Sequence, residues 1–137
     1  MFAVVDADRV QELARAKIPS RYFLTVWLRK ALNDLPNLVK DDEELLTLAK
    51  GASGSRVGVL AVTDKRAIVV TGATVQRRVE SFPLNQVASV ESRRSFASGR
   101  VHFAVAGKEV AIRAIVPRER ADEISDVVRS KSIEPAV

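Results

Sequence analysis

The 137-residue sequence contains no cysteine, one histidine, one tryptophan and one tyrosine. Without cysteine the chain has no disulfide framework, no thiolate nucleophile and no cysteine ligands for zinc. A single histidine cannot assemble a histidine zinc site or a Cys-His catalytic pair. These absences exclude several classes of enzyme and metalloprotein, and they fit a reducing compartment.

Long hydrophobic runs are also missing, since no apolar stretch approaches the roughly 20 residues that span a bilayer. Residues 1–5 are followed at once by Asp6 and Asp8, whereas a secretory signal needs a positive start and a longer apolar core. We therefore expect a cytoplasmic protein, with a peripheral position at the inner face of the membrane as the alternative. With 47% hydrophobic and 28% charged residues, one folded domain with an accessory element is expected.

The residues do not form a recognisable catalytic or metal-binding constellation. Ser53 lacks the strand-to-helix elbow of serine hydrolases, and the neighbouring Gly51 and Gly54 lack the Gly-Lys-Ser/Thr ending of a phosphate-binding loop. The acidic residues 41–44 have no histidine or second carboxylate group near them in the sequence, so we expect a solvated connector. His102 is expected to point outward from its strand. The sequence predicts no enzyme, no metal site and no cofactor.

The positive charge is unevenly distributed. The net charge is +5, but residues 45–115 hold eleven Lys or Arg against four Asp or Glu, an excess of seven. Such an excess could meet phosphates or an anionic membrane surface, or it could simply keep exposed strands solvated. Nucleic acid is disfavoured as a partner because aromatic residues are only 5% and no known reader motif occurs.

Two amphipathic helices are predicted at the N-terminus. Apolar residues recur at helical spacing over residues 6–17, and a second apolar stripe follows Pro19 and Ser20 and ends near residues 33–36. A helical hairpin of this length cannot bury its stripe by itself. It should therefore pack on a sheet of the same chain, on a second copy or on a membrane interface.

Seven short strands and a final helix follow the hairpin. The strands are each expected to have one apolar face, which two sheets or a closed roll must cover. The turn after strand 3 is placed at residues 72–74, and Pro83 marks a corner. The final helix begins at Pro117 and should plug one end of the roll. The predicted strands cover residues 45–50, 57–62, 67–71, 76–82, 87–94, 101–106 and 110–114.

At residue level, the chain resembles the bacterial pleckstrin-homology-like (YokE-like PH) domains. The similarity is carried by the acidic lead at residues 42–46, by the Thr-Asp-x-Arg hairpin within residues 58–70, and by the Phe-Pro, polar pair and Ser-Val segment of residues 80–91. The resemblance covers about residues 42–130. It implies a mostly β (α+β) fold: a PH-like seven-stranded antiparallel roll or barrel capped by a C-terminal helix. The expected division is an N-terminal helical extension at 1–36, the PH-like domain at 42–131 and a tail at 132–137.

Candidate ligand-binding residues lie in the loops after strands 1 and 3, which share an end in an antiparallel meander. These residues are Lys50, Arg56, Arg77 and Arg78. Strict alternation would add Arg93, Arg94 and Arg100 after strand 5, although the corner at Pro83 can break that alternation. Resemblance to eukaryotic PH domains implies the loop after strand 6 instead, with Lys108.

The same resemblance allows this sequence to be compared with the inositol-phosphate sites of eukaryotic PH domains. Eukaryotic PH domains bind inositol phosphates with a lysine late in strand 1 and basic residues early in strand 2. Lys50 and Arg56 match this pattern in part, but Gly58 stands where a second basic side chain would be expected. The alternative to specific headgroup recognition is weak electrostatic attraction to anionic lipid, about 1 kcal/mol per well-placed basic residue.

These observations predict a non-catalytic PH-like binding or scaffold module that acts through protein–protein contacts or self-association. The alternative is peripheral binding to anionic phospholipid membranes through basic loops at one barrel end. The polar residues 63–66 of the central hairpin are expected to form a structural clasp, in which Asp64 accepts the hydrogen bonds of the turn and Arg66 packs or pairs along its strand.

Overall fold

A computed structural model describes residues 7–72 and 76–132. The predicted seven strands and C-terminal helix are confirmed. Predictions for residues 1–6, for residues 73–75 of the turn after strand 3 and for residues 133–137 of the tail lie outside the described residues. The helices are α1 (Ala7–Lys17), α2 (Val26–Leu38) and α3 (Glu119–Ser132), and the strands are β1 (Leu45–Ser53), β2 (Arg56–Thr63), β3 (Arg66–Thr71), β4 (Arg78–Pro83), β5 (Val87–Arg94), β6 (Gly99–Val105) and β7 (Lys108–Val116).

The strands form an antiparallel sheet in the order β4-β3-β2-β1-β7-β6-β5. Strand β1 joins the half of the sheet formed by β2, β3 and β4 to the half formed by β5, β6 and β7. It pairs with β2 along its length and with β7 through Lys50–Val116 and Ala52–Arg113. Apolar residues from both halves and from α3 share one core. Within that core, the rings of Phe82 and Phe103 pack edge to face with their centroids 5.1 Å apart.

Helix α3 closes this core, as predicted. Ala121, Ile124 and Val128 are all fully buried against it. Helix α3 has acidic residues in its first turn and basic residues in its last turn, and both interact favourably with the helix dipole.

The N-terminal helices pack on the outer face of β1, β2 and β3. A second core joins apolar residues of α1 and α2, among them Leu28, Leu32 and Leu35, to the sheet residues Val59 and Ile68. The prediction that each strand has one apolar face is therefore wrong for these three strands, which are buried on both faces. Burial on both faces explains why they read as nearly continuous apolar runs.

The second helix differs from its predicted bounds. Residues Ser20–Leu24 form a short 3-10 helix, and Thr25 then adopts an extended conformation before α2 begins. The Thr25 hydroxyl donates to the Tyr22 carbonyl over 2.6 Å, which closes the 3-10 turn. The helix continues through Pro36 instead of ending there. Pro36 removes one backbone donor, but the Val39 N–H still bonds the Leu35 carbonyl over 3.0 Å and ends the helix.

Candidate functional site

The polar residues of the β2–β3 hairpin form a buried network around Glu43. The Glu43 side chain is 2% exposed, and Arg66 donates to it from Nε over 2.8 Å and from Nη2 over 3.0 Å. The Lys40 N–H donates to Glu43 over 2.8 Å, and the Thr63 hydroxyl lies 3.0 Å from Glu43 Oε2. Arg66 also donates a hydrogen bond to the Leu38 carbonyl. The prediction that residues 41–44 form a solvated connector is wrong at Glu43.

The environment of Glu43 sets its protonation. Burial raises the pKa of the Glu43 carboxyl, but the hydrogen bonds from Arg66, from the Lys40 N–H and from Thr63, together with the charge of Arg66, outweigh burial. The pKa of Glu43 is therefore lower than its usual value. At neutral pH the carboxylate is ionised, and its oxygens accept hydrogen bonds from these partners. The role of Glu43 is therefore structural.

The hydrogen bonds of the hairpin turn go mainly to Thr63. Its hydroxyl oxygen accepts from the N–H groups of Lys65 and Arg66, each over 3.0 Å. Asp64 instead accepts from the Glu44 N–H over 2.9 Å, so the predicted role of Asp64 in the turn is wrong. Arg66 forms an ion pair as predicted, but its partner is Glu43 in the connector before β1 and not a residue along its own strand. This network fastens the connector before β1 to the β2–β3 turn.

Lys50, the first predicted ligand-binding residue, lies inside the fold. It is 8% exposed, and its Nζ donates to the Ala114 carbonyl over 3.2 Å. Its Nζ also lies 5.2 Å from the centroid of the Tyr22 ring. The ammonium group is thus engaged by β7 and by the segment before α2.

The other three predicted residues lie close together. Arg56 donates to the Gln76 carbonyl over 2.7 Å and to the Gln76 side chain over 3.0 Å, which joins the start of β2 to the segment before β4. Arg77 pairs with Asp34 of α2 over 3.0 Å, and Arg78 is exposed at the start of β4. The structure therefore groups three arginines and places Lys50 in a separate environment.

Gly58 departs from the eukaryotic pattern for a steric reason. A Cβ atom at this position would lie 2.0 Å from the Val70 carbonyl oxygen of the paired strand β3. No side chain fits there without moving the β3 backbone. The missing basic residue is thus a consequence of how closely β2 and β3 approach.

An exposed aromatic residue in the β5–β6 turn was not singled out from the sequence. Phe96 is 95% exposed. Arg118 donates to the carbonyls of Ser95 and Phe96 over 3.2 and 3.3 Å, which ties the turn to the start of α3. The available signal was a phenylalanine inside a predicted polar turn.

Arginines crowd the face next to this turn. Arg93 of β5 lies directly opposite Arg100 of β6, and a groove of about 340 Å³ is lined by both of them and by Arg113. Arg113 also donates from Nε to the Gly54 carbonyl over 3.0 Å. Like charges directly opposite each other in a sheet repel. This face therefore favours the approach of an anion.

The two edges of the sheet differ. Helix α3 lies against β5, where Arg129 donates to the Val90 carbonyl over 2.9 Å and Ser92 bonds Asp122 over 2.7 Å. Strand β4 is at the other end of the sheet and pairs with β3. Five of its six residues are exposed, Phe82 being the buried one. Among the residues that the structure describes, no strand pairs with the other side of β4, which is therefore an open edge.

Within residues 7–72 and 76–132, no three or more His, Asp or Glu side chains form a group that could hold a metal ion. His102 is half-buried and lies opposite Glu91 in the β5–β6 pairing. None of the helices in the described part of the chain is both long and apolar enough to cross a membrane.

Comparisons with known proteins give the same fold. Residues 39–130 match the family model described as "Bacterial PH domain". The C-terminal domain of an unknown protein from Leishmania infantum aligns with a TM-score of 0.54 at 15% identity, over 77% of this chain and 94% of that one. A DUF1696 family protein with a pleckstrin-homology domain from Shewanella loihica aligns with a TM-score of 0.53 at 14% identity, over 79% of this chain and 99% of that one. No curated protein sequence matches the chain.

The family match covers more than half of the chain, from the end of α2 to the last turns of α3. It includes all seven strands and the Glu43–Arg66 network. The expected resemblance and fold class are thereby confirmed, and the chain belongs to the bacterial PH domain family.

Proposed function

We propose that this chain is a non-catalytic binding module that acts through protein contacts at the open edge of β4. The observation that carries the proposal is that β4 ends the sheet and that five of its six residues are exposed. Backbone donors and acceptors on such an edge can pair with an added extended segment. The N-terminal helices cover the outer face of β1, β2 and β3, and α3 covers the β5 edge. Those two surfaces are already used within the fold.

Peptides that bind the chain are expected to protect β4. A displayed library of random peptides, each about a dozen residues long, would be selected on the immobilised full chain. Hydrogen exchange measured by mass spectrometry should then slow in β4 and stay unchanged in β5, because an added strand pairs with the free side of β4. Protection confined to any other part of the chain would contradict the proposal.

Two valine variants provide the matched control. Val79 in β4 and Val57 in β2 are similarly exposed, at 37% and 40%. Val79→Lys should weaken the selected peptides by on the order of ten-fold, since a lysine on an edge strand opposes further pairing. Val57→Lys makes the same chemical change away from the edge and should leave the affinity unchanged. Equal losses in both variants would place the binding site elsewhere.

Docking on anionic membranes is a second candidate, and the exposed Phe96 favours it. An apolar side chain at a turn, beside the arginines 93 and 100, could enter the interface while the cations meet lipid phosphates. Four basic residues were predicted from the sequence for the same role: Lys50, Arg56, Arg77 and Arg78. The three arginines form the competing membrane surface, whereas Lys50 is engaged inside the fold.

Co-sedimentation with vesicles separates these surfaces. Binding to vesicles of phosphatidylglycerol and phosphatidylcholine in equal parts should exceed binding to phosphatidylcholine alone and should fall at high salt. Phe96→Ser is expected to lower the bound fraction several-fold, and the triple alanine variant of Arg56, Arg77 and Arg78 should change it less. The reverse order would assign binding to the predicted loops. Equal recovery with both vesicles would exclude membrane docking.

A further inference from the structure

The exposed part of β4 carries a short charge pattern. Arg78, Val79 and Glu80 are consecutive and exposed, and they pair on their inner side with Thr71, Val70 and Val69 of β3. Side chains alternate along a strand, so Arg78 and Glu80 share one face and Val79 lies on the other. Opposite charges thus flank one exposed valine.

We infer that the β4 edge pairs with the β4 edge of a second copy of this chain, antiparallel and centred on Val79. This inference rests on the proposed protein-binding function and names its partner. In an antiparallel pair related by a two-fold axis, the central residue lies opposite itself and its neighbours exchange partners. Arg78 then faces Glu80 of the second copy, Glu80 faces Arg78 of the second copy, and the two copies of Val79 face each other.

The charges select this register among the neighbouring ones. A shift that centres the pair on Arg78 places two arginines opposite each other. A shift that centres it on Glu80 places two glutamates opposite each other, and Arg78 then faces Phe82, which is buried in its own core. Directly opposed like charges destabilise a sheet, whereas opposite charges and paired β-branched residues stabilise it. The pattern of residues 78–80 therefore complements itself in one alignment.

The remaining surroundings are compatible with pairing at this edge. Ser81 is held from the outer face by Arg66, and Arg77 is held by Asp34 of α2, so both flanks of the three-residue pattern are anchored within the chain. Pro83 ends the strand, and because proline cannot donate a ladder hydrogen bond it limits how far pairing can extend. The contact is short. The dimer should accordingly be weak and concentration-dependent.

Charge reversal tests the inference on the full chain. Sedimentation equilibrium should show a reversible dimer of the wild-type chain. Arg78→Glu and Glu80→Arg should each weaken it by on the order of ten-fold, because each reversal places like charges opposite each other twice per dimer. The double variant Arg78→Glu/Glu80→Arg keeps opposite charges facing each other, and it should restore the wild-type dissociation constant to within a few-fold.

A mixture of the two single variants gives a sharper result. One variant then has only acidic and the other only basic side chains at positions 78 and 80, so the mixed dimer should form more readily than either variant alone. Glu109→Arg makes the same change as Glu80→Arg at an exposed residue of β7 and serves as the control. It should leave the dissociation constant unchanged.

Two outcomes would overturn the inference: a wild-type chain that stays monomeric at every concentration, or a dimer that is insensitive to the charge reversals. If selected peptides still protect β4 in a monomeric chain, the proposed function stands and the second copy is the wrong partner. If neither peptides nor a second copy protect β4, both proposals fail.

Discussion

Replacing Glu43 with alanine is expected to lower the free energy of unfolding by about 3 to 5 kcal/mol, the range for breaking a buried ion pair by removing one partner. Glu43 is 2% exposed and accepts from two nitrogens of Arg66 and from the Lys40 N–H. The variant leaves the Arg66 guanidinium, itself only partly exposed, without its carboxylate. Urea unfolding at neutral pH measures the loss.

The contribution of Glu43 should depend on pH in a defined direction. Its pKa is lower in the folded chain than the ordinary value of 4.5. The stabilisation is therefore fully present above the unfolded-state pKa, and it is lost as the pH falls through the lower folded-state pKa. The stability difference between wild type and Glu43→Ala should stay constant from neutral pH to about 4.5 and narrow below it. A difference that widens in acid would contradict the ionised state assigned to Glu43.

The neighbouring Asp42 provides the control for this prediction. Its side chain is 71% exposed and lies 3.5 Å from the Lys65 ammonium, which is 52% exposed. Exposed pairs of this kind contribute roughly 0 to 1 kcal/mol. Asp42→Ala should therefore change the stability little. Equal losses from both variants would show that the acidic segment, and not the buried pair, supports the hairpin.

Local patterns were sufficient to predict that seven strands follow one another along the chain and that a helix comes last. Period-two alternation is clear in β6, where Val101, Phe103 and Val105 are buried, and the register of the hairpins follows from their short turns. Alternation alone did not predict that β1, β2 and β3 are buried on both faces. Continuous apolar runs occur when both faces are covered, and the covering helices come from a distant part of the sequence.

The polar residues were harder to place because their roles depend on contacts between distant segments. Glu43 looks like part of a solvated acidic run, yet the β1–β2 pairing of Leu45 with Thr63 brings it beside Arg66. The predicted pairing of β1 with β2 was therefore a signal that Glu43 lies next to Arg66. Lys50 is turned inward by β7 and by Tyr22, and neither contact has a signature in the local sequence.

The open edge and the exposed turn have a common physical origin. The sheet ends at β5 on one side and at β4 on the other. Helix α3 covers β5, whereas no strand in the described part of the chain pairs with the outer side of β4. The β5–β6 turn projects Phe96 because its backbone carbonyls are held by Arg118 while its side chain has no core to enter. Both features follow from the fold and became visible only when the strand order was known.

Leu32→Ala is expected to destabilise the whole chain by about 3 kcal/mol, within the range of about 2 to 5 for deleting a buried leucine side chain. Leu32 is 1% exposed in the core between α2 and the outer face of the sheet. The tryptophan, Trp27, lies in α2, so its fluorescence reports on the helices, while far-ultraviolet circular dichroism follows the whole backbone. Both signals should shift together in urea.

A joint shift is expected because the helices and the sheet share apolar residues, and Lys17 of α1 also pairs with Glu123 of α3 over 2.7 Å. Leu24→Ala is the matched control, since Leu24 is 87% exposed and its truncation should cost less than about 0.5 kcal/mol. If the fluorescence transition of Leu32→Ala moved alone, the extension at residues 1–36 would be a separate folding unit. A single transition for both signals would instead mean that the helices are part of one cooperative fold, since removing them would expose the apolar outer face of β1, β2 and β3 to water.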